Sequence, residues 1–171
     1  MLPEAQVCER ARLSRDPRFD GRFFVGVITT GIYCRPVCPA RLPARENVRF
    51  YPSAAAAQDA GFRPCRRCLP ENAARLPEWC IGSRSVLRGL RLIDSGLLDR
   101  AQTTQLAQRL GVSQRHMNRL FRAELGATPK SLAQTRRRQL AKRLIDDSDA
   151  PLAQICLLYT SDAADESSRG G

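Results

Sequence analysis

Two close cysteine pairs within the first 75 residues, apolar positions at helical spacing beyond residue 85, and a strong arginine excess together predict the fold class. It is a small α+β domain closed by a bound metal, followed by an all-α helix-turn-helix domain. The 171-residue chain has room for two small domains. It is too short for a large barrel or for a doubly wound fold with a second domain. No apolar run approaches the ~20 residues that span a bilayer, and no apolar segment follows a basic N-terminus. Neither a membrane protein nor a secreted one is expected.

The first domain is assigned to residues 1–75. Pro3 to Leu13 reads as a short helix with Val7, Cys8 and Ala11 inward. Phe23 to Thr30 (FFVGVITT) is aromatic and β-branched and is predicted as a strand. Asn47 to Tyr51 alternates, with Val48 and Phe50 on one face, and is predicted as a second strand. Ser53 caps an alanine-rich helix, Ala54 to Ala60, that Gly61 ends. The cysteine pairs are expected in the loops that follow the first strand and this helix. So small a unit lacks a sufficient apolar core, and a metal is expected to stabilise it directly.

Seven cysteines are present, and four form the pairs Cys34-x3-Cys38 and Cys65-x2-Cys68. An odd count without a secretory signal argues against the alternative of a disulfide framework. Two close pairs in a reduced cell point to a tetrahedral Zn2+ site with four thiolate ligands. Cys8, Cys80 and Cys156 have no partner at ligand spacing and are expected to pack as small apolar residues. A zinc-bound thiolate is ionised at neutral pH, so the site carries a formal charge of about −2 and can attack a methyl group. The alternative is a zinc that only holds the fold.

The charge is distributed in a telling way. The net charge is +11, and of 28 basic residues only Lys130 and Lys142 are lysines. Residues 1–75 hold 13 basic and 7 acidic side chains, residues 76–150 hold 14 and 7, and residues 151–171 hold 1 and 3. Arginine grips phosphate through a planar fork, so polyanions are the first partners to consider. Arg35, Arg41, Arg63, Arg66 and Arg67 crowd the cysteines in sequence and are expected to bind flanking phosphates.

After a linker at residues 76–84, the second domain is assigned to residues 85–155. A helix is predicted from Ser85 to Gly96, with Val86, Leu87, Leu90, Ile93 and Leu97 at helical spacing. Thr103 or Thr104 is expected to cap the next helix, Gly111 makes the turn, and Ser113 caps a helix from Gln114 to Glu124. That is a helix-turn-helix. Met117, Leu120, Phe121 and Leu125 form its buried stripe. Arg115, Asn118 and Arg119 share the opposite face, where arginine reads guanine and asparagine reads adenine in a major groove. His116 has no catalytic or ligand partner by spacing. A last helix, Pro129 to Ile145, carries Arg136, Arg137 and Arg138, with Leu132, Leu140 and Leu144 inward.

Both halves resemble known families. The runs TTGIYCRPVCPAR (Thr29 to Arg41), RENVRFY (Arg45 to Tyr51) and AGFRPCRRC (Ala60 to Cys68) resemble the N-terminal zinc domain of the Ada family. That domain moves a methyl group from methyl phosphotriesters in DNA onto one of its own zinc-bound cysteines. The resemblance implies Cys34, Cys38, Cys65 and Cys68 as ligands, Cys34 as the acceptor, and Thr30, Arg41 and Arg63 as DNA contacts. The family's basic residue after the second cysteine is Pro39 here, which removes one phosphate contact. The run LGVSQRHMNRLFRAELGATP (Leu110 to Pro129) resembles the AraC-type DNA-binding domain. Such domains join two helix-turn-helix units by a long helix; here the second unit opens at Pro151 (PLAQI) and is incomplete.

The expected function is therefore a stoichiometric DNA methyl acceptor that also regulates transcription as an activator. Its expected partners are double-stranded DNA, as methylated backbone and as promoter sites, and RNA polymerase. The expected location is the bacterial cytoplasm, at the nucleoid. Residues 156–171 have no amphipathic period, and Cys156 to Glu166 match the translation of a transposase sequencing adapter. The tail is expected to be foreign, with the native frame continuing elsewhere. Related modules occur with an O6-alkylguanine methyltransferase or a 3-methyladenine DNA glycosylase, and Pro77 to Arg100 resembles the glycosylase fusions. A purely regulatory protein with structural zinc and the front end of such a glycosylase are the alternatives.

Overall fold

A computed structural model describes residues 2–73, 81–149 and 151–155. Residues 76–80 of the expected linker and the whole of the expected foreign tail lie outside the described residues.

The first domain is a four-stranded sheet between two helices. Helix α1 (Ala5–Ser14) ends where Arg15 adopts a left-handed conformation. Strand β1 (Phe24–Val27) pairs antiparallel with β2 (Ile32–Cys34), joined by a turn whose Gly31 has φ +64°. Strand β3 (Val48–Tyr51) pairs with the other edge of β1, Val27 facing Val48 and Val25 facing Phe50. After helix α2 (Ala54–Asp59), β4 (Arg63–Pro64) runs parallel to β2, giving the order β3-β1-β2-β4. Ser53 caps α2 by accepting the Ala56 N–H at 3.1 Å, as its position predicts.

Alternation along the strands gives the sheet two apolar faces. Phe23, Val25, Val48 and Phe50 meet Cys8 and Ala11 of α1, while Phe24 and Tyr33 meet Ala54 and Ala57 of α2. Val7 is only half-buried. Gly26 is required because a Cβ there would stand 2.8 Å from the Tyr51 ring. Two strands, β2 and β4, were not expected from sequence: Cys34 ends a strand instead of lying in a loop.

The second domain is helical throughout. Its helices are α3 (Arg84–Asp94), α4 (Leu97–Arg100), α5 (Thr103–Leu110), α6 (Gln114–Leu125) and α7 (Pro129–Asp147). Gly111 adopts φ +70° between α5 and α6, and Ser113 caps α6 by accepting the His116 N–H at 3.2 Å. One core contains Val86, Leu90, Ile93, Leu106, Met117, Phe121, Leu125 and Leu132. A Cβ on Gly89 would come within 2.6 Å of Phe121 Cζ, so glycine lets α3 and α6 approach closely.

Two expectations are corrected here. Neither Thr103 nor Thr104 caps α5, whose flanking residue is Gln102 without a side-chain cap. Thr103 Oγ1 instead accepts from Gln114 Nε2 at 2.8 Å, tying the two helices of the motif together. Leu140 is 43 % exposed because Leu132, Ala133 and Ala141 define the buried stripe of α7. Residues 152–155 turn as a helix after Pro151 and bury Ile155.

The domains pack together through α2 and α7. Ala55 and Ala56 belong to the helical core, and Ser53 Oγ donates to the Leu125 carbonyl at 2.7 Å. At Gly126, which has φ +68°, a Cβ would lie 2.8 Å from Pro52 Cγ.

Candidate metal centre and nucleic-acid interface

Strand β2 delivers Cys34, and a turn closed by the Cys38 N–H on the Arg35 carbonyl (3.1 Å) brings Cys38 back beside it. Strand β4 delivers Cys65, whose N–H donates to the Tyr33 carbonyl at 3.0 Å, and the next turn returns Cys68. Pairing of β2 with β4 thus joins the two cysteine pairs. The ligand atoms of Cys34, Cys38, Cys65 and Cys68 all lie within 4.8 Å of one another. Four sulfurs held tetrahedrally at about 2.3 Å from Zn2+ would stand about 3.8 Å apart, so a small inward adjustment completes the site.

The chemistry of the donor set fits zinc as well as the spacing does. Three of the four sulfurs are buried, and Cys34 is half-exposed. Without a cation, the hydrogen bond from Cys34 lowers Cys68 to about 6, while that bond and then burial raise Cys34. Burial raises Cys38 to about 11. Four thiolates this close repel one another, and a soft divalent cation would offset that repulsion. A four-thiolate zinc site is the assignment the cluster supports.

The four sulfurs are not equivalent. The Arg35 N–H reaches Cys68 Sγ at 3.4 Å, and a backbone hydrogen bond from Ala40 favours the Cys38 thiolate. Among the described residues, no backbone N–H reaches Cys34 Sγ. Neither does one reach Cys65 Sγ, so what sets Cys34 apart from Cys65 is exposure: Cys65 is buried and Cys34 is partly exposed.

A cleft of about 290 Å³ opens over the cluster, lined by Thr30, Cys34, Cys38 and Arg41 among others. Thr30 and Arg41 are exposed at this cleft. Arg63 is exposed on β4, in register with Ile32, and faces a different groove. Arg35 is not available for phosphate: its Nε donates to Asp20 Oδ1 at 2.8 Å and its Nη1 to the Cys68 carbonyl at 3.2 Å. It ties the metal loops to the segment before β1.

Sequence reasoning missed two further arginines. Arg12, 3 % exposed, donates to Glu9 and to the Pro43 carbonyl at 3.0 Å, and Arg15 donates to the Ala40 carbonyl at 3.1 Å. Together they grip the loop on either side of Arg41. The only signal in the sequence is Glu9 placed three residues before Arg12.

On α6, Arg115, Asn118 and Arg119 line one concave surface with His116 and Arg122. Arg119 Nη2 lies 2.9 Å from His116 Nδ1, so His116 steadies a side chain of the expected reading face. Among the described residues, no helix is long and apolar enough to cross a membrane.

Comparison with known proteins agrees with both halves. Residues 7–71 match the family described as the metal binding domain of Ada, and residues 106–160 match a helix-turn-helix domain family. The chain is 48% identical over 155 residues to the "Probable bifunctional transcriptional activator/DNA repair enzyme AlkA" of Mycobacterium tuberculosis. That match covers 91% of this chain and 31% of the relative, so the chain spans about a third of that protein's length. It is 31% identical over 148 residues to the "Bifunctional transcriptional activator/DNA repair enzyme AdaA" of Bacillus subtilis, covering 86% of this chain and 68% of that one. A solved structure of the Escherichia coli Ada protein in complex with DNA is 38% identical, covers 78% of this chain and 93% of that one, and has a TM-score of 0.38. The zinc-type cysteine cluster and the helix-turn-helix sit in one chain, and that chain belongs to the Ada family.

Proposed function

We propose that this chain is a DNA alkylation-damage response protein. Cys34 takes the methyl group of a methyl phosphotriester in duplex DNA, once per molecule, and the helix-turn-helix binds promoter DNA to regulate transcription. The observation that carries this reading is the asymmetry of the cluster. Cys34 is its one partly exposed member, the other three being buried, and it opens to the cleft shared with Thr30 and Arg41.

Zinc, when bound, keeps the four sulfurs ionised at neutral pH and leaves the cluster at a formal charge of about −2. A methyl phosphotriester is neutral, so an anionic sulfur can approach it where an ordinary diester would repel it. The Cys34 sulfur forms a bond to the methyl carbon as the bond from that carbon to the ester oxygen breaks. The oxygen keeps the electron pair and becomes a phosphodiester anion; the sulfur becomes a neutral thioether. Thr30, Arg41 and Arg63 supply contacts to the backbone, and Arg12 and Arg15 hold the loop that carries Arg41. A thioether is a poor leaving group, so turnover stops after one methyl.

Loss of one negative charge from the cluster weakens its repulsion of the backbone, and the methylated chain binds DNA more tightly. On α6, Arg115, Asn118 and Arg119 read base edges in the major groove. The domain division at 1–75 and 85–155 matches these two tasks. Activation brings RNA polymerase as a partner and places the protein at the nucleoid in the cytoplasm. The transcriptional activator and DNA repair roles in the relatives' names support the same pairing of tasks.

The test is incubation of the zinc-loaded chain with a duplex carrying a single methyl phosphotriester, read by intact mass. The wild type gains one methyl, and Cys34→Ala, checked for zinc content, gains none. A zinc-loaded wild type that gains nothing contradicts the reading and leaves the zinc a structural role.

A further inference from the structure

A groove of about 270 Å³ lies where the two domains meet, between β4 and α7, lined by Tyr33, Gln58, Arg63, Glu71, Arg138 and Lys142 among others. We propose that it is a second phosphate site, in which Arg63 of the repair domain and Arg138 of the regulatory domain hold one phosphodiester of duplex DNA between them. The proposal rests on the reading of the chain as a DNA-binding protein, and it goes beyond that reading by naming a contact shared by both domains.

The charge within the groove points to an anion. Lys142 is neutralised by an ion pair with Glu71. Among the described residues, no carboxylate pairs with Arg63 or Arg138. The neighbours of Arg138 in the same arginine run differ: Arg136 pairs with Asp94 and Arg137 with Asp99. Arg138 is the member of the run that turns to the groove with its charge unspent. At about 270 Å³ the space is near the lower end of small-ligand sites, large enough for a phosphodiester and too small for a stacked base pair.

Arg138 is also held in place. Its Nη1 donates to Gln58 Oε1 at 3.0 Å, an oxygen that also accepts from Thr135 Oγ1 at 3.0 Å. Gln58 Nε2 donates to the Tyr33 hydroxyl at 2.9 Å, so three partners orient the amide. A guanidinium has five N–H donors, and one of them is committed here, leaving others for phosphate oxygens. Arg63 faces the groove from β4, whose neighbour β2 carries Cys34 two residues beyond Ile32, the partner of Arg63. A phosphate bound here touches both domains and stabilises their docking. The backbone that is being repaired then also fixes the helix-turn-helix relative to the cleft.

The salt dependence of binding tests this, with the zinc-loaded chain and an unmodified duplex. Each phosphate contact contributes about 0.9 to the slope of log K against log[salt]. Arg138→Gln alone and the double variant Arg63→Gln/Arg138→Gln should each lose about 0.9, one phosphate in total, with affinity falling alike for any sequence. Arg138→Lys should keep the slope, and Arg88→Gln, an exposed arginine on α3, should leave it unchanged. The proposal is overturned if Arg138→Gln keeps the wild-type slope, if the double variant keeps it or loses about two phosphates' worth, or if Arg88→Gln lowers the slope equally. Zinc content and helical circular dichroism confirm that each variant is folded. Methyl gain by intact mass is measured on the same variants. Its absence in the wild type strikes the Cys34 reading alone, while the slope reports the groove.

Discussion

Between α1 and α2 the sheet buries two separate apolar groups, one on each face, and the cysteine cluster forms a third. Helices α3 to α7, joined by Ala55 and Ala56 of α2, close instead around one continuous core in which Leu106, Met117 and Phe121 are almost fully buried. The first arrangement divides its apolar burial among patches too small to order the chain alone, so thiolate–metal bonds must hold the two cysteine turns. The second orders itself by packing. The difference assigns stability and the proposed chemistry differently: in the first domain the cysteine centre would serve both, whereas the second keeps the proposed reading residues Arg115, Asn118 and Arg119 on the opposite side of α6 from its buried Met117 and Phe121.

Metal removal should break this comparison most visibly. Structural zinc contributes on the order of 10 kcal/mol to folding such a unit. Chelation, or Cys65→Ser, should therefore unfold residues 5–71 while α3 to α7 stay helical, as amide NMR spectra would show. Simultaneous loss of both domains would mean that the helical core does not stand alone. Phe121→Ala is the reciprocal case. It should cost about 3–5 kcal/mol, read from denaturant unfolding of the helical domain, with zinc content unchanged.

How much of this was legible in the sequence follows from the same contrast. The helix-turn-helix was readable because caps and glycines are local signals: Ser113, Gly111 and the Met117–Phe121–Leu125 stripe all lie where the spacing puts them. The ligand set was readable from the cysteine spacing, and β1 and β3 from alternation. Strands β2 and β4 were not readable, since three and two residues carry no period and are ordered by pairing, β2 with β1 and β4 with β2. Arg35 looked like a phosphate contact because sequence does not show that Asp20 lies across from it. Leu140 looked buried because α7 rests on alanines and Leu132, with Leu140 turned outward.

Smaller effects sharpen the comparison at the boundary between the domains. Gly126→Ala adds a Cβ at 2.8 Å from Pro52 and forces an alanine into φ +68°. It should cost about 1–3 kcal/mol of helical-domain stability by thermal melting, with the zinc site intact. A pH-dependent effect belongs to Cys8, whose thiol burial raises to about 11 from an ordinary value near 9. Folding favours its protonated form, so its contribution is fully present below pH 9 and is lost as pH rises through 11. Denaturation midpoints at pH 8 and pH 10.5 should differ less in Cys8→Ala than in the wild type.

The central claim is that one sulfur of four is the acceptor. Duplex DNA carrying an isotopically labelled methyl on a single phosphotriester, followed by peptide mapping of the zinc-loaded chain, tests it directly. The label should appear as one S-methyl group on Cys34, at no more than one per chain. Label remaining on the DNA, or found on Cys38, Cys65 or Cys68, would contradict it.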